Sequence, residues 1–365
     1  MDFYVKTMSG RKIIKKAEGS DNLLVIPDRQ SFQAKQIDLF QNFLVNSDYQ
    51  KKPLSNTIEL WDVLPKYSVS PAQQDKMRTK EGLLPLLERE VSFFGNEYAV
   101  YIKPALLSDE KGRAYYPANS EELIEDCLRK IATVQDQCFF DQGNSHCGVK
   151  FTLHQLRLEL KNQGHSRSYQ QVLKSLTILA GADIEIRMKN KKAVSFDKYL
   201  SLAGFSREAR LDNPDSMWVA YFHPLVYKAM ANVDYRQFNY QLMMALKPQL
   251  ARWLYKRLAH YYTNAGPLSP LRMTLLDIQR ESSMLTRIRT GNAVIELEEI
   301  FQALINENVF KGYEKIKDIR GPKNKIVDVE YLVSPHPEFI KSVKAANRRQ
   351  ADDKLKIAAP MIATQ

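Results

Sequence analysis

The sequence predicts an α+β protein in which one helix-turn-helix unit occurs twice, each copy followed by a strand and a basic hairpin. Three observations predict this. First, Phe151-Thr152-Leu153-His154-Gln155-Leu156-Arg157-Leu158-Glu159 aligns without a gap on Met273-Thr274-Leu275-Leu276-Asp277-Ile278-Gln279-Arg280-Glu281, with Thr, Leu and Glu identical at matching places. With an insertion of three residues, Leu179-Ala180 then falls on Leu304-Ile305 and Ile184 on Val309. Second, each copy carries a helical apolar stripe after a turn, and a repeated supersecondary unit is a domain-level signal. Third, the positive charge is graded: net 0 over residues 1–110, +4 over 111–240 and +7 over 241–365, of +11 in all, so the excess lies where the repeats lie.

In the first copy Thr152 sits where an N-cap hydroxyl accepts from the first turn, and the helix ends near Gly164, the residue suited to a turn at positive φ. A second helix is expected from about Ser166 to Ala180, with Tyr169, Val172, Leu173, Leu176 and Leu179 inward. Arg167, Ser168, Gln171, Lys174 and Ser175 lie at its start or on the opposite side, donors and cations suited to base edges and phosphates in a major groove. Ile184 to Met188 then reads as a strand leading into Lys189, Lys191 and Lys192. In the second copy Thr274 is the cap, and the second helix is expected from about Thr286 to Asn306, with Ala293, Leu297, Ile300, Phe301 and Leu304 inward. Arg287, Arg289 and Asn292 cluster at its amino end. Glu296, Glu298 and Glu299 would repel phosphate, so only the first turn is expected to approach DNA. Phe310 to Ile319 leads into Arg320-Gly321-Pro322-Lys323-Asn324-Lys325. A helix-turn-helix followed by a basic hairpin is a winged helix. The expected architecture is two tandem winged-helix domains behind a largely disordered N-terminal extension: 1–54 extension, 55–236 first domain with N-terminal additions, 237–345 second domain, 346–365 flexible tail.

The remaining elements follow in order. Residues 1–54 are polar and mixed, with a basic patch at Arg11, Lys12, Lys15 and Lys16. Within them Gln36-Ile37-Asp38-Leu39-Phe40 combines a polar anchor with an aliphatic-aromatic pair able to fill an apolar pocket, although Phe32, Gln36, Leu39, Phe40 and Phe43 also have helical spacing. Thr57 to Tyr67 is apolar with a Pro stop, and a helix is possible from about Gln74 to Leu84. Val91 to Phe94 and Tyr98 to Leu107 alternate like strands, with a turn at Asp109 to Gly112. Ser120 is expected to cap a helix carrying Leu123, Cys127, Ile131 and Val134. Phe196 to Leu202 and Trp218 to Phe222 read as strands, and Pro248 opens a strong amphipathic helix stopped by Asn264-Ala265-Gly266-Pro267.

Cys127, Cys138 and Cys147 have no paired spacing, so neither a disulfide framework nor a metal site is indicated, and no cofactor is expected. No apolar run suits a signal peptide or membrane span, so a reduced, cytoplasmic protein without a membrane partner is expected. No phosphate-cradling Gly-x-x-x-x-Gly-Lys-Ser/Thr loop is present, and the histidines at 146, 154, 165, 223, 260 and 336 include no metal-binding pair flanking one residue. An origin-nicking or priming enzyme is therefore disfavoured, and no catalytic residue is assigned. A winged-helix transcriptional repressor is the other alternative.

The order of these segments, from Gln36-Ile37-Asp38-Leu39-Phe40 and IELWDVLP through FTLHQLRLEL to ALKPQLARWLYKRLAHYY and LRMTLLDIQRES, resembles the TrfA-type plasmid replication initiators from about Gln36 to Tyr313. The resemblance implies tandem winged helices that bind short direct repeats (iterons) at a replication origin, help open an adjacent AT-rich segment, and bring in the host initiator, helicase and sliding clamp. Gln36 to Phe40 would be the clamp-binding peptide, and a homodimer form is implied. The acidic second recognition helix departs from what DNA binding favours.

Overall fold

The computed structural model describes residues 54–93, 95–108, 112–132, 137–141, 143–189, 194–204, 213–287 and 289–362. The expected clamp peptide at Gln36 to Phe40, the basic patch at Arg11 to Lys16, and Lys191 and Lys192 lie outside them. The described chain is α+β. Its N-terminal part comprises β1 (Leu54–Ile58), α1 (Glu59–Val63), α2 (Pro71–Met77), β2 (Leu87–Phe93), β3 (Asn96–Lys103), β4 (Ala105–Leu107), β5 (Arg113–Tyr115) and α3 (Asn119–Ile131). The first winged-helix unit continues with β6 (Cys138–Asp141), β7 (His146–Thr152), α4 (Leu153–Asn162), α5 (Tyr169–Gly181), β8 (Asp183–Met188), β9 (Val194–Lys198), β10 (Leu200–Gly204) and β11 (Met217–Phe222). Helix α6 (Pro224–Asn232), strand β12 (Tyr235–Asn239) and helix α7 (Tyr240–Ala245) lead to the second unit, α8 (Gln249–Tyr261), β13 (Leu271–Thr274), α9 (Leu275–Ser282), α10 (Thr290–Asn306), β14 (Phe310–Arg320) and β15 (Ile326–Pro335). Helix α11 (Pro337–Ile362) ends the described chain.

Local chemistry explains the repeated unit. Thr152 Oγ1 accepts from Gln155 N at 3.1 Å while Thr152 N donates to Gln155 Oε1 at 3.0 Å, a capping box that starts α4. Ser168 and Gln171 repeat the device at α5 (3.2 and 2.9 Å), so α5 begins after Ser168 rather than at Ser166. Thr274 Oγ1 accepts from Asp277 N at 3.1 Å to start α9. The turn of the first copy uses Gly164 at φ 82°, and the second uses Ser283 at φ 55°. Helix α3 starts at Asn119, not after a Ser120 cap: Ala118 occupies the N-cap, and its N–H donates to Glu121 Oε2 at 2.8 Å.

The second unit has the three-stranded order β13-β15-β14 of a simple winged helix. The first is more elaborate. Its basic hairpin β8-β9 is the outer half of a four-stranded sheet, β2-β3-β8-β9, because β3 covers the other edge of β8. At Tyr199 the chain bends into β10, which belongs to the second sheet, β10-β11-β7-β6. The buried Tyr199 ring fixes that bend, its hydroxyl donating to Lys66 O at 2.9 Å.

Two expectations change. The segment from Tyr235 to Tyr240, which spans the expected domain boundary at 236/237, contains β12, paired antiparallel with β1 at the start of the described chain. The flexible tail expected from residue 346 continues α11: Ala346 is buried, Asp353 Oδ2 accepts from Tyr235 Oη at 2.9 Å, and Gln350 Nε2 donates to Tyr235 O at 2.8 Å. Composition alone hid this helix because only one of its faces is apolar, at Phe339, Ile340, Val343 and Ala346.

Where the halves meet, α8 lies against α1 and α3 and buries eight charges. Arg129 reaches both Asp62 oxygens at 2.7 Å and Asp126 at 2.8 Å. Lys256 reaches Asp126 at 2.7 Å, Arg252 reaches Glu122 at 3.1 Å, and Lys66 reaches Glu125 at 3.2 Å. Four cations thus meet four carboxylates. Burial alone would raise the Asp62 carboxyl, but Arg129, Lys66 and Lys256 together hold it far below the usual range. The cluster joins the halves through groups that are costly to bury singly.

Candidate nucleic-acid interface

The open side of the first helix-turn-helix is built from the residues before and along the first two turns of α5. Ser168 and Gln171 are exposed, although each holds the other in the capping box. Arg167 is half-buried, with its carbonyl accepting from Arg157 Nε at 2.8 Å. The Arg157 guanidinium lies 4.4 Å from the Tyr169 ring centroid, which stiffens the entry to the helix. Farther along, the sequence expectation needs correcting. Ser175 is buried at 6% exposure and hydrogen-bonded to Glu121, so it faces α3 and leaves the contact set. Lys174 is half-buried, its Nζ 3.3 Å from Tyr115 Oη and 4.3 Å from that ring's centroid, because the β4-β5 hairpin packs alongside α5. In place of Ser175, Gln170 and Thr177 are exposed on this side. Both stand at helical spacing from Lys174, a signal the apolar stripe alone would have supplied.

The second helix-turn-helix presents a different surface. Arg287 precedes α10 and Arg289 is its N-cap residue; both are exposed, as is Asn292. The Arg289 side chain makes no cap hydrogen bond, and although Asn292 N donates to Arg289 O at 3.0 Å, no side chain among the described residues accepts from Thr290 N or Gly291 N. One of the three carboxylates of α10 is compensated, and a second is hydrogen-bonded. Arg287 Nε lies 2.7 Å from Glu296, which raises the guanidinium pKa, and Glu298 accepts from Tyr331 Oη at 2.9 Å. Glu299 stays exposed, beside Ile295 at 59% exposure. An exposed apolar side chain of this kind is chemically suited to the methyl group of a thymine.

The wings differ as well. Lys189 of the first is bound to Glu90 at 2.7 Å and Glu97 at 3.5 Å of the adjoining β2-β3 hairpin. It is a neutralised cation, not an open one. In the second wing Lys323 and Asn324 take left-handed φ of 59° and 57° at the tip. A Cβ on Gly321 would meet Val327 Cγ1 at 2.7 Å. Lys317, Lys323 and Lys325 are exposed and form no ion pair among the described residues, whereas Arg320 lies 3.8 Å from Asp318 and donates to Asn324 O at 3.1 Å.

No protein-family model matches this chain, and no curated protein matches it. Solved structures do show likeness. One is the crystal structure of selenomethionine derivatives of domains 2 and 3 of RctB, 13% identical, with a TM-score of 0.45, covering 75% of this chain and 97% of that one. A second crystal structure of RctB domains 2–3 is 11% identical, with a TM-score of 0.44, covering 74% and 98%. A third is the Pi initiator protein in complex with iteron DNA, 9% identical, with a TM-score of 0.33, covering 79% and 99%. At these identities and scores the likeness is partial.

Among the described residues no group of three or more His, Cys, Asp or Glu is placed to hold a metal ion. Cys127 and Cys147 are buried thiols whose pKa burial pushes up. No described helix is long and apolar enough to cross a membrane.

Proposed function

We propose that this chain is a plasmid replication initiator that grips duplex DNA at direct repeats of an origin through two winged-helix units and performs no bond-making chemistry itself. The observation that carries the DNA reading is the second unit: Arg289 and Asn292 at an uncapped helix start, together with a wing whose Lys317, Lys323 and Lys325 have no acidic partner among the described residues. An uncapped helix start, a cation beside it and a ribbon with three cations that meet no carboxylate among the described residues together suit a negatively charged phosphate backbone. The first unit contributes mainly hydrogen-bonding side chains, Arg167, Ser168, Gln170, Gln171 and Thr177.

The initiator role, rather than repression, rests on Gln36 to Phe40. A repressor has no use for a peptide that docks the polymerase clamp. Recruitment of the clamp, host initiator and helicase, opening of an AT-rich segment, a homodimeric form and action in the bacterial cytoplasm all belong to this proposal. Clamp pull-down with wild type and Leu39→Ala/Phe40→Ala tests it: loss of retention supports the initiator role, and equal retention returns the chain to the repressor reading. Permanganate reactivity of an origin plasmid tests opening, with new reactive thymines expected beside the repeats and none if opening is wrong.

A further inference from the structure

Between the turn of the first helix-turn-helix and the entry to α8 lies a cavity of about 300 Å³. Its wall brings together Asn119, His165, Arg167, Lys247 and Arg252, with Leu123 and Met244 supplying apolar backing and no carboxylate on the lining. Arg252 is fully buried; Leu246 O and Lys247 O accept from its Nη1 at 2.9 Å each, and Asn119 Oδ1 and Glu122 accept from its Nη2. Its Nε has no hydrogen-bond acceptor among the described residues. Arg167 and Lys247 form no salt bridge among the described residues.

We propose that this cavity binds a phosphate group. Two cations without a carboxylate partner among the described residues, Arg167 and Lys247, stand around one space beside the unpartnered Nε of Arg252, whose own charge is met by Glu122. Apolar walls weaken screening there, and together these donors favour an anion. The volume is at the small end for ligand pockets, which suits a phosphoryl or diphosphoryl group better than a whole nucleotide. His165 supports the same field. Burial lowers its pKa first, the hydrogen bond to Met244 O opposes this, and the positive charges of Arg252 and Arg167 lower it further. The other charged groups near it are Lys247 and, behind Arg252, Glu122. Two sources offer this chemistry, a free phosphate compound and the backbone of bound duplex. Only the second rests on the DNA reading above.

The test follows the His165 ring by NMR in the full chain, titrated separately with inorganic pyrophosphate and with a random-sequence duplex, while anisotropy records duplex binding. A saturating shift with raised His165 pKa is expected for at least one probe. Lys247→Ala, an exposed substitution, should weaken that response roughly tenfold, and Lys247→Arg should restore it. A response to pyrophosphate identifies a free-phosphate site; a response to duplex alone identifies a backbone contact. No shift with either probe and an unchanged Lys247→Ala affinity overturn the proposal, even where anisotropy shows duplex bound elsewhere. Pyrophosphate binding without any duplex binding instead retains the cavity and removes the DNA reading.

Discussion

His223 shows what burial does to one side chain here. It is 1% exposed, stacks on Trp61 at 4.3 Å, and accepts from Leu225 N through Nδ1 as the N-cap of α6. Burial lowers its pKa to about 3, and that of His260 likewise. Both folded values lie below the unfolded one, about 6.5. The unfolded chain therefore binds more protons between about pH 6 and 4, and stability falls on acidification across that window. Each histidine contributes about 1.4 kcal/mol per pH unit there. Asp126 and Glu121, raised by burial, act in the opposite sense. His223→Asn keeps a capping side chain and removes one proton site. Urea unfolding at pH 6 and 5 should show its pH slope reduced by about 1.4 kcal/mol per unit relative to wild type; an unchanged slope would place His223 in contact with water. The ionic cluster gives a second residue-scale expectation. Arg129→Leu leaves Asp62 and Asp126 short of a partner and should cost about 3–5 kcal/mol by urea midpoint. Neither feature was read from the sequence. The signal was present, because Glu122, Glu125, Asp126 and Arg129 on α3 and Arg252 and Lys256 on α8 recur at helical spacing, but spacing does not say which face is covered.

Among the elements, the caps of α4 and α9 and the glycine turn between α4 and α5 were the most legible, whereas α3, α5 and α10 start at Asn119, Tyr169 and Thr290 and not after Ser120, at Ser166 or at Thr286. Thr152, Thr274 and Gly164 act as their residue types suggest, since a cap or a left-handed turn is decided by neighbours within four residues. The wing of the first unit was only half legible: β8 and its basic turn follow from the sequence, but the partner β3 is some eighty residues earlier, and no local pattern announces that pairing. Sheet packing gives a sharp expectation at Gly148 in β7. A Cβ there would lie 2.1 Å from Ala220 O and 2.7 Å from the Phe139 ring. Gly148→Ala should therefore cost about 1–3 kcal/mol or more through overpacking, and a melting temperature equal to wild type would contradict that sheet order. Recognition elements carry their own contrast. Arg289→Ala should weaken duplex binding and flatten its salt dependence by about one phosphate contact. Ser175→Ala should bind duplex as wild type does, because its hydroxyl faces Glu121. A larger loss for Ser175→Ala than for Arg289→Ala in anisotropy titrations would reverse the assigned faces of the two helices.

At the scale of the whole molecule, two winged-helix units are joined by β1-β12 pairing, by α11 across β12 and by the buried ionic cluster. Gln73 Nε2 also donates to Thr286 Oγ1 at 2.8 Å, tying α2 to the turn of the second helix-turn-helix. The units are thus held in a fixed relation. The sequence showed the duplication and the charge gradient. It did not show this joining, because contacts between distant segments leave no periodicity. The most direct test of the central claim is duplex affinity across a salt series for wild type, for Arg167→Ala/Gln170→Ala in the first unit, and for Arg289→Ala/Lys323→Ala/Lys325→Ala in the second. Both variants should bind more weakly than wild type, with the salt slope falling by about three phosphate contacts in the second. Wild-type affinity and slope in either variant would contradict a grip that uses both units.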